Sequence, residues 1–574
     1  WPPLDGAEGR IAFTSDTLRI PGVRGQMLNR PFTLEGGPSG KVVQLRARGG
    51  IDAPALRQVY DWPVLAWLGG ETSWEADVVL DRGNAKLTVR SGLNGIRSRL
   101  PQPFAKEADE SWPLEVVSDT PDASQPRLYS VKLGGWLDAV FARDGDGILR
   151  GSVGLNQSAR LPRDGIEIAA TLGELDVDAW QWSFDNESEI ANAALAGTAP
   201  PTTVVDDAPF PLTGVTLDVK RLRAFGRDFK NMKLRADAQG SDWKAKVDSP
   251  EVKGEIVWKR DGEGMVTARL SRLALAAEGS NGNGNGGPPT RSLPGLDVQA
   301  EQFVVGERTL GQLEVRAVNQ DGDWRLDSFT ITQPDSRFSG SGMWRPAEKR
   351  SQLDFTLTTG NIGKLASSLG YANMVKGGKA KLVGLLDWNG PPTGIDYPSL
   401  SGNFTLNAED GRFEKIEPGV GRLFGILSLQ ALPRRITLDF RDVFSEGLAF
   451  DSIDGKIMAS NGTMSTEGID IVGPAAKIKM SGKANIVAET QDLQVNVQPT
   501  LSESVAIGAA VANPIVGAVT YIAQKVMGDP IEKLFAYDYK ITGSWAEPMV
   551  EKTGAKQVGT RVADRGALRI TEDE

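Results

Sequence analysis

The sequence of 574 residues contains no cysteine and no histidine. Without cysteine there are no disulfides, no thiolate metal sites and no cysteine nucleophiles. Such a chain suits a compartment where an unpaired thiol is a liability, of which the periplasm is one example. Without histidine the chain lacks the commonest general base, the commonest metal ligand and every Ser-His-Asp or Cys-His arrangement.

The chain also lacks an excess of positive charge. Its 64 Lys and Arg are outnumbered by 74 Asp and Glu, which gives a net charge of -10 and a pI of about 5.1. Proteins that bind nucleic acid neutralise phosphates with clustered cations, so this composition argues against such a partner. It argues equally against electrostatic adhesion to anionic lipid.

Alternating apolar and polar residues dominate the sequence. A period of two places the apolar side chains on one face of a strand and the polar ones on the other. In QLDFTLTT, Asp354 and Thr356 separate three apolar residues. The residues that this alternation assigns to one apolar face are Leu353, Phe355, Leu357, Phe404, Leu406, Ile478, Met480, Leu493, Val495 and Val497.

Turn dipeptides and an internal repeat indicate how these strands are connected. Asp or Asn precedes Gly322, Gly411, Gly455 and Gly462, which predicts four hairpin turns because both residue types tolerate a positive φ. Asp242-Trp243 recurs 81 residues later as Asp323-Trp324. We therefore predict a mostly β fold: an elongated, curved antiparallel sheet, built from repeats, that forms a U-shaped apolar groove.

Short helices and polar linkers interrupt the strands. Helices are predicted within Ile51–Gly70, Glu174–Phe184 and Asn361–Gly378, and an amphipathic one at the groove mouth within Gly421–Arg435. The predicted organisation is β repeats with short helices over 1–190, a linker over 191–211, a β repeat over 212–278, a disordered Gly/Asn/Pro linker over 279–295, β repeats over 296–500, an apolar helical element over 501–535, a final strand over 536–550 and a disordered tail over 551–574.

One segment, Ser504–Gln524, carries no charged residue. Its length would just cross a hydrocarbon core of about 30 Å, but Asn513-Pro514 divides it into two short helices. A membrane span, a buried cap on the sheet and a cap that also touches a bilayer remain open, and we favour the last. The residues predicted to contact a membrane are Ile507, Val511, Ile515, Val516, Val519 and Ile522.

We find no catalytic constellation in the sequence. Most carboxylates fall on the polar phase of strands or in turns, and the acidic stretches at Asp144–Leu149 and Asp261–Gly264 lack the remaining ligands of a calcium loop. We therefore predict that the chain is not an enzyme and binds no metal or cofactor. A one-layer sheet leaves an apolar face, which must be covered by helices, by a second sheet or by an apolar ligand. The helices are few and short, so we favour the ligand.

Three stretches resemble a known family. GRLFGILSLQALPRRITLDFRDVFSEGLAFDSIDGKI (Gly421–Ile457) is similar to the C-terminal signature of the YhdP branch of the AsmA-like superfamily. SGLNGIRSRLPQPFAKEADESWPLEV (Ser91–Val116) and the helical stretch with NPIVGAVTYIAQKVMGDPIEKL resemble further elements of that family. The similarity extends over nearly the whole chain, which looks like the C-terminal half of the family's extracytoplasmic region without its N-terminal transmembrane anchor.

The resemblance implies a function as well as a fold. Members of this family form long β grooves in the periplasm of Gram-negative bacteria, and the YhdP branch is implicated in phospholipid movement to the outer membrane and in barrier integrity. The expected partners are therefore phospholipid and the outer membrane, which the C-terminal helices would contact. A non-enzymatic scaffold that assembles outer-membrane proteins through its sheet edges is the alternative. A hydrolase with two distant carboxylates is a third hypothesis.

Overall fold

A computed structural model gives the fold of the chain. It describes residues 4–14, 18–60, 62–81, 84–119, 125–144, 147–180, 212–276, 293–392, 394–414, 447–500 and 536–554. Strands account for about 71% of the structure and helices for about 6%, which confirms the mostly β class. The chain divides into two compact units, Trp1–Gly287 with Val298–Glu301, and Pro288–Asp297 with Gln302–Glu574.

The first unit contains one large sheet of consecutive strands, together with short helical elements and a separate strand pair. The helix α1 (Ala53–Val59) and a 3₁₀ turn (Pro63–Trp67) connect β4 to β5. The strands are β1 (Leu4–Phe13), β2 (Leu18–Met27), β3 (Arg30–Ser39), β4 (Val42–Asp52), β5 (Leu68–Gly69), β6 (Glu71–Asp81), β7 (Asn84–Ser91), β8 (Arg97–Ser98), β9 (Leu114–Asp119), β10 (Arg127–Leu133), β11 (Leu137–Asp144), β12 (Gly147–Leu155), β13 (Gly165–Asp176), β14 (Leu212–Ala224), β15 (Arg227–Gln239), β16 (Asp242–Asp248), β17 (Val252–Lys259) and β18 (Met265–Leu275). β5 and β8 form the separate pair.

The expectation of a purely antiparallel sheet is wrong at β13. This strand pairs in parallel with β12 on one side and with β14 on the other, whereas the other described pairs of the large sheet in this unit are antiparallel. Parallel neighbours need a connection that returns along the sheet rather than a hairpin. Residues 156–164 make that return before β13, and Asp138 holds them by accepting a 3.1 Å hydrogen bond from the Ala159 amide.

The second unit is a meander in which successive strands pair antiparallel. The helix α2 (Ile362–Ser368) connects β23 to β24, and a 3₁₀ turn (Tyr397–Ser399) precedes β25. The strands are β19 (Gly295–Val305), which contains the boundary between the units, β20 (Arg308–Gln320), β21 (Asp323–Gln333), β22 (Ser336–Arg345), β23 (Arg350–Thr359), β24 (Val375–Asn389), β25 (Ser401–Phe413), β26 (Leu448–Ser460), β27 (Thr463–Val472), β28 (Ala476–Asn485), β29 (Thr490–Pro499), β30 (Tyr537–Ser544) and β31 (Pro548–Gly554).

The internal repeat of the sequence is also a repeat of strands. β15 and β20 begin and end 81 residues apart, and β16 and β21 both begin at the Asp-Trp pair. Each of these tryptophans lies opposite another tryptophan on the next strand: Trp243 opposite Trp258, and Trp324 opposite Trp344. The repeat therefore preserves register as well as sequence.

Two of the four predicted hairpin turns are correct. Asn461-Gly462 and Asp321-Gly322 connect neighbouring strands, and all four residues have a positive φ. Asp410-Gly411 and Asp454-Gly455 instead lie inside β25 and β26. The register with both neighbouring strands is the same at Glu409 and at Gly411, so the dipeptide does not end the strand. At Gly455 a Cβ would come within 2.8 Å of the Ile469 side chain, which explains why glycine stands there.

Several predicted boundaries need correction. Residues 174–176 belong to β13, residues 177–180 are helical, and residues 181–184 lie outside the described residues. Residues 375–378 begin β24. The end of the predicted disordered linker is ordered, because Trp324 Nε1 donates a 3.0 Å hydrogen bond to the Pro294 carbonyl. The last strand extends to Gly554 and so includes four residues of the predicted tail. The linker 191–211, the helix Gly421–Arg435, the element 501–535 and residues 555–574 lie outside the described residues.

Candidate functional site

An uninterrupted row of apolar residues crosses the second unit from β20 to β30. Directly opposed residues in neighbouring strands point to the same face of a sheet, and each member of this row opposes the next. We call it the central apolar row: Leu313, Ile331, Phe338, Leu357, Leu382, Leu406, Gly455, Ile469, Met480, Val495 and Tyr539. At about 4.8 Å between strands, it extends about 48 Å along the sheet.

A second row on the same face alternates phenylalanine with glycine. Phe329, Gly340, Phe355, Gly384 and Phe404 follow one another across β21 to β25. A Cβ at Gly384 would come within 2.5 Å of the Phe404 Cβ, so glycine at this position leaves room for the Phe404 side chain. The face is therefore continuously apolar at these strands.

The opposite face of the same strands is polar. Residues one position along from the central apolar row form the outer polar row: Thr358, Lys381, Asn407, Asp454, Asp470, Lys479, Asn496 and Asp538. Asn407 Nδ2 donates to Asp454 over 2.6 Å, and Asn496 Nδ2 donates to Asp538 over 2.7 Å. On the same face a hydrogen bond to Glu409 raises the pKa of Lys379. One face thus suits water and the other an apolar partner.

The structure brings all ten predicted apolar residues to one face. Leu357, Leu406, Met480 and Val495 belong to the central apolar row itself. On one side of the central apolar row lie Leu353, Phe355, Phe404 and Leu493. On its other side, Ile478 and Val497 oppose each other. Their common face is confirmed, and their contact with a lipid remains a prediction.

Burial divides these ten residues into two groups. Ile478, Met480, Leu493, Val495 and Val497 are only 2–4% exposed and belong to a hydrophobic cluster. Tyr539 closes the row within this cluster, and burial raises the pKa of its hydroxyl. Leu353, Leu357, Phe404 and Leu406 are half-buried, and Phe355 is 9% exposed. The accessible part of the face is therefore at β23 to β25.

A cavity of about 500 Å³ lies between this accessible part and the helix α2. Its floor includes Leu357, Leu382 and Leu406 of the central apolar row, and its roof consists of apolar residues of α2 and of the segment that follows. Sequence reasoning did not find this site, because each wall alone looks like ordinary core. The sequence signal that could have revealed the cavity is the helical spacing of four apolar residues, Ile362, Leu365, Ala366 and Leu369.

The first unit carries an equivalent row. Fifteen opposed residues, all apolar, run from β2 to β18: Val23, Leu34, Ala47, Ala76, Val89, Val116, Val131, Ala139, Val153, Ile168, Val215, Ala236, Ala245, Ile256 and Ala268. The adjacent outward row alternates in charge: Arg48, Glu75, Arg90, Glu115, Lys132 and Asp138. Arg48 and Arg90 form ion pairs of 3.0 and 2.9 Å with Glu75 and Glu115.

Within the described residues, no helix combines the length and the apolar composition needed to cross a membrane. No group of three or more Asp or Glu that could hold a metal ion occurs there either. The six predicted membrane-contact residues, Ile507 to Ile522, lie outside the described residues, so their role remains a prediction.

Comparison with known proteins identifies relatives of this chain. A family model described as YhdP protein matches residues 1–550. The chain belongs to the YhdP family. Among the curated proteins, the intermembrane phospholipid transporter YhdP of Escherichia coli (strain K12) is 23% identical over 581 residues. The match covers 96% of this chain and 44% of that protein.

Membership of the YhdP family confirms the resemblance seen in the sequence. Because the chain spans less than half of its E. coli relative, the activity of that whole protein does not transfer directly.

Proposed function

We propose that the chain carries phospholipids along the apolar face of its sheets, with acyl chains on the apolar rows and head groups in water. The observation that carries this proposal is the central apolar row, whose members oppose one another without interruption across eleven strands. The name of the E. coli relative, an intermembrane phospholipid transporter, supports the choice of ligand.

The physical basis is removal of acyl chains from water. Each buried CH₂ group contributes about 0.8 kcal/mol, so a lipid that crosses an aqueous gap unaided meets a high barrier. An apolar face that accompanies the chains lowers the barrier along the whole path. The half-buried side chains Leu357, Phe404 and Leu406 are the first contacts we expect. The buried members of the row stabilise the same face.

The cellular setting is part of the proposal. We place the chain in the periplasm, on a path from the inner to the outer membrane, where it supports the outer-membrane barrier without enzymatic chemistry. Curvature of the sheets into a U-shaped groove would let one lipid slide past successive strands. Contact of residues 501–535 with the outer membrane would complete the path.

Two substitutions on one strand test the proposal. Leu406→Glu places a charge on the apolar face, and Thr405→Glu places the same charge on the outer face, opposite Lys456. A charge transferred out of water must be paired or it opposes binding. We expect Leu406→Glu to slow transfer of fluorescent phospholipid between donor and acceptor vesicles by about tenfold or more, which corresponds to 1.4 kcal/mol.

The matched variant and the fold provide the controls. Thr405→Glu should transfer lipid at the wild-type rate, and both variants should keep the wild-type circular dichroism spectrum. Equal transfer by both variants would contradict the proposal. A chain that transfers no lipid but pairs its edge strands β1 or β31 with outer-membrane strands would instead support the scaffold alternative.

A further inference from the structure

The helix α2 lies over the accessible part of the apolar face. Asn361 begins it, since its side chain accepts a 3.0 Å hydrogen bond from the Lys364 amide. Ile362, Leu365, Ala366 and Leu369 fall at helical spacing on one side and line the cavity. The first three remain half-buried and Leu369 is 38% exposed, although the apolar side of a docked helix normally packs closely.

Polar contacts hold α2 at a fixed distance from the sheet. Lys364 Nζ forms a 2.6 Å ion pair with Asp335, and Gln333 Nε2 donates a 3.2 Å hydrogen bond to the Ser368 hydroxyl. At its beginning the helix is close to β24, because a Cβ at Gly363 would be 2.4 Å from the Val375 carbonyl oxygen. The cavity therefore opens toward the other end of α2, where Leu369 is exposed.

The walls of the cavity select an apolar occupant. Among the described residues no charged side chain lines it, and the two lining residues with hydroxyl groups are Thr359 and Tyr371. The Thr359 hydroxyl already accepts hydrogen bonds from the Ser336 hydroxyl over 2.8 Å and from the Asn361 amide over 3.1 Å. A head group would find few partners inside, whereas an alkyl chain needs none.

The dimensions and the charge at the mouth narrow the choice of ligand. Four strands, β23 to β26, contribute to the floor, which is about 14 Å across at the usual strand spacing. Half of a hydrocarbon core is about 15 Å. The volume of about 500 Å³ lies within the usual range for small-molecule sites. At the open end, the exposed Arg308 guanidinium lies beside Gly370, within 2.5 Å of where a Cβ would be.

We propose that the cavity under α2 is a binding site for one alkyl chain of an anionic amphiphile, with the acidic head group outside it near Arg308. This inference rests on the proposed function and makes it more specific. The open face lets chains slide, whereas this site encloses one chain between a helix and the sheet. A phospholipid and a free fatty acid share the required chemistry.

Photoactivatable probes on the full chain test the site. The probes are a diazirine-bearing palmitic acid and a phosphatidylglycerol that carries the same acyl chain. Both probes combine an alkyl chain with an acidic head group. The probe that labels residues 361–374 at the lower concentration shows whether the bound chain belongs to a fatty acid or to a phospholipid. Ala366→Phe fills the cavity, and Ser367→Phe adds the same ring on the exposed side of the helix. We expect labelling to fall about tenfold or more in Ala366→Phe, because several CH₂ groups lose their site, and to persist in Ser367→Phe.

Two further variants keep the test informative if Ala366→Phe does not fold. Leu365→Ala enlarges the cavity and should shift binding toward longer chains. Arg308→Gln should weaken labelling by the acidic probes but not by a diazirine-bearing hexadecanol. The enclosed site would be overturned if the probes label residues near Phe404 but not α2, with no change in Ala366→Phe and no chain-length shift in Leu365→Ala. That outcome would leave the proposed function intact. Absence of labelling anywhere on the chain would overturn both.

Discussion

Leu493 and Ile541 oppose each other directly across β29 and β30, and each side chain is 2% exposed. They lie within the cluster that also buries Met480 and Val495. Leu353 occupies the same face at β23 but is half-buried. The apolar face thus serves as structural core at β28 to β30 and as a more accessible surface at β23.

This division predicts different stability effects of the same substitution. Leu493→Ala removes packed methyl groups from the cluster and should lower the free energy of unfolding by about 2–5 kcal/mol. Leu353→Ala removes a half-exposed side chain and should lower it by about 1 kcal/mol. Urea unfolding followed by tryptophan fluorescence measures both. Equal losses would show that the face is packed alike at β23 and at β29.

The strand repeat predicts a stabilising substitution. Phe225, at the turn between β14 and β15, has a φ of 55° and is 88% exposed. The Asp178 carboxylate accepts hydrogen bonds of 2.7 and 2.8 Å from the Phe225 and Gly226 amides. The second copy has Gly306, with a φ of 61°, at the equivalent position. Because side chains disfavour this backbone region, Phe225→Gly should raise the free energy of unfolding by about 0.5–1 kcal/mol.

The reciprocal variant is the control for the turn. Gly306→Phe should lower the free energy of unfolding by about 1 kcal/mol, since it introduces the strain that Phe225 already bears. Thermal unfolding of the two variants and the wild type provides the comparison. A loss of stability in Phe225→Gly would mean that the exposed ring makes a stabilising contact in the folded chain.

Tyr539 predicts a dependence of stability on alkaline pH. Burial raises the pKa of its hydroxyl above the ordinary value of 10.0. Above about pH 10 the unfolded chain releases a proton that the folded chain retains, so stability falls as pH rises, by up to 1.36 kcal/mol per pH unit for this group. Tyr539→Phe should make the fall less steep. A slope that is unchanged in Tyr539→Phe would contradict this prediction.

The alternation of apolar and polar residues predicted the apolar face well, because the face to which a side chain points depends on strand geometry alone. Leu357, Leu406 and Val495 were assigned to one face from alternation, and their register confirms it. Local turn signals were less reliable. Asp410-Gly411 resembles a hairpin turn, but the neighbouring strands pair beyond it and extend β25 through it.

Tertiary features could not be predicted in the same way. The parallel strand β13 depends on the course of the chain between strands, which alternation does not encode. The cavity under α2 depends on how far the helix is held from the sheet, and that distance is set by the contacts of Lys364 and Ser368. The parallel pairing of β13 and the cavity under α2 both depend on how separate elements are arranged in space, which no single segment of the sequence determines.

The central claim is that lipid follows one face of the sheet, and site-specific photo-crosslinking tests it most directly. A photoreactive residue is introduced at Leu357 or Leu406 on the apolar face, and at Thr358 or Asn407, the adjacent positions on the outer face. The chain is then incubated with phospholipid vesicles and irradiated. The account predicts phospholipid adducts at Leu357 and Leu406 and none at Thr358 and Asn407. Adducts of equal yield on both faces, or on the outer face alone, would contradict it.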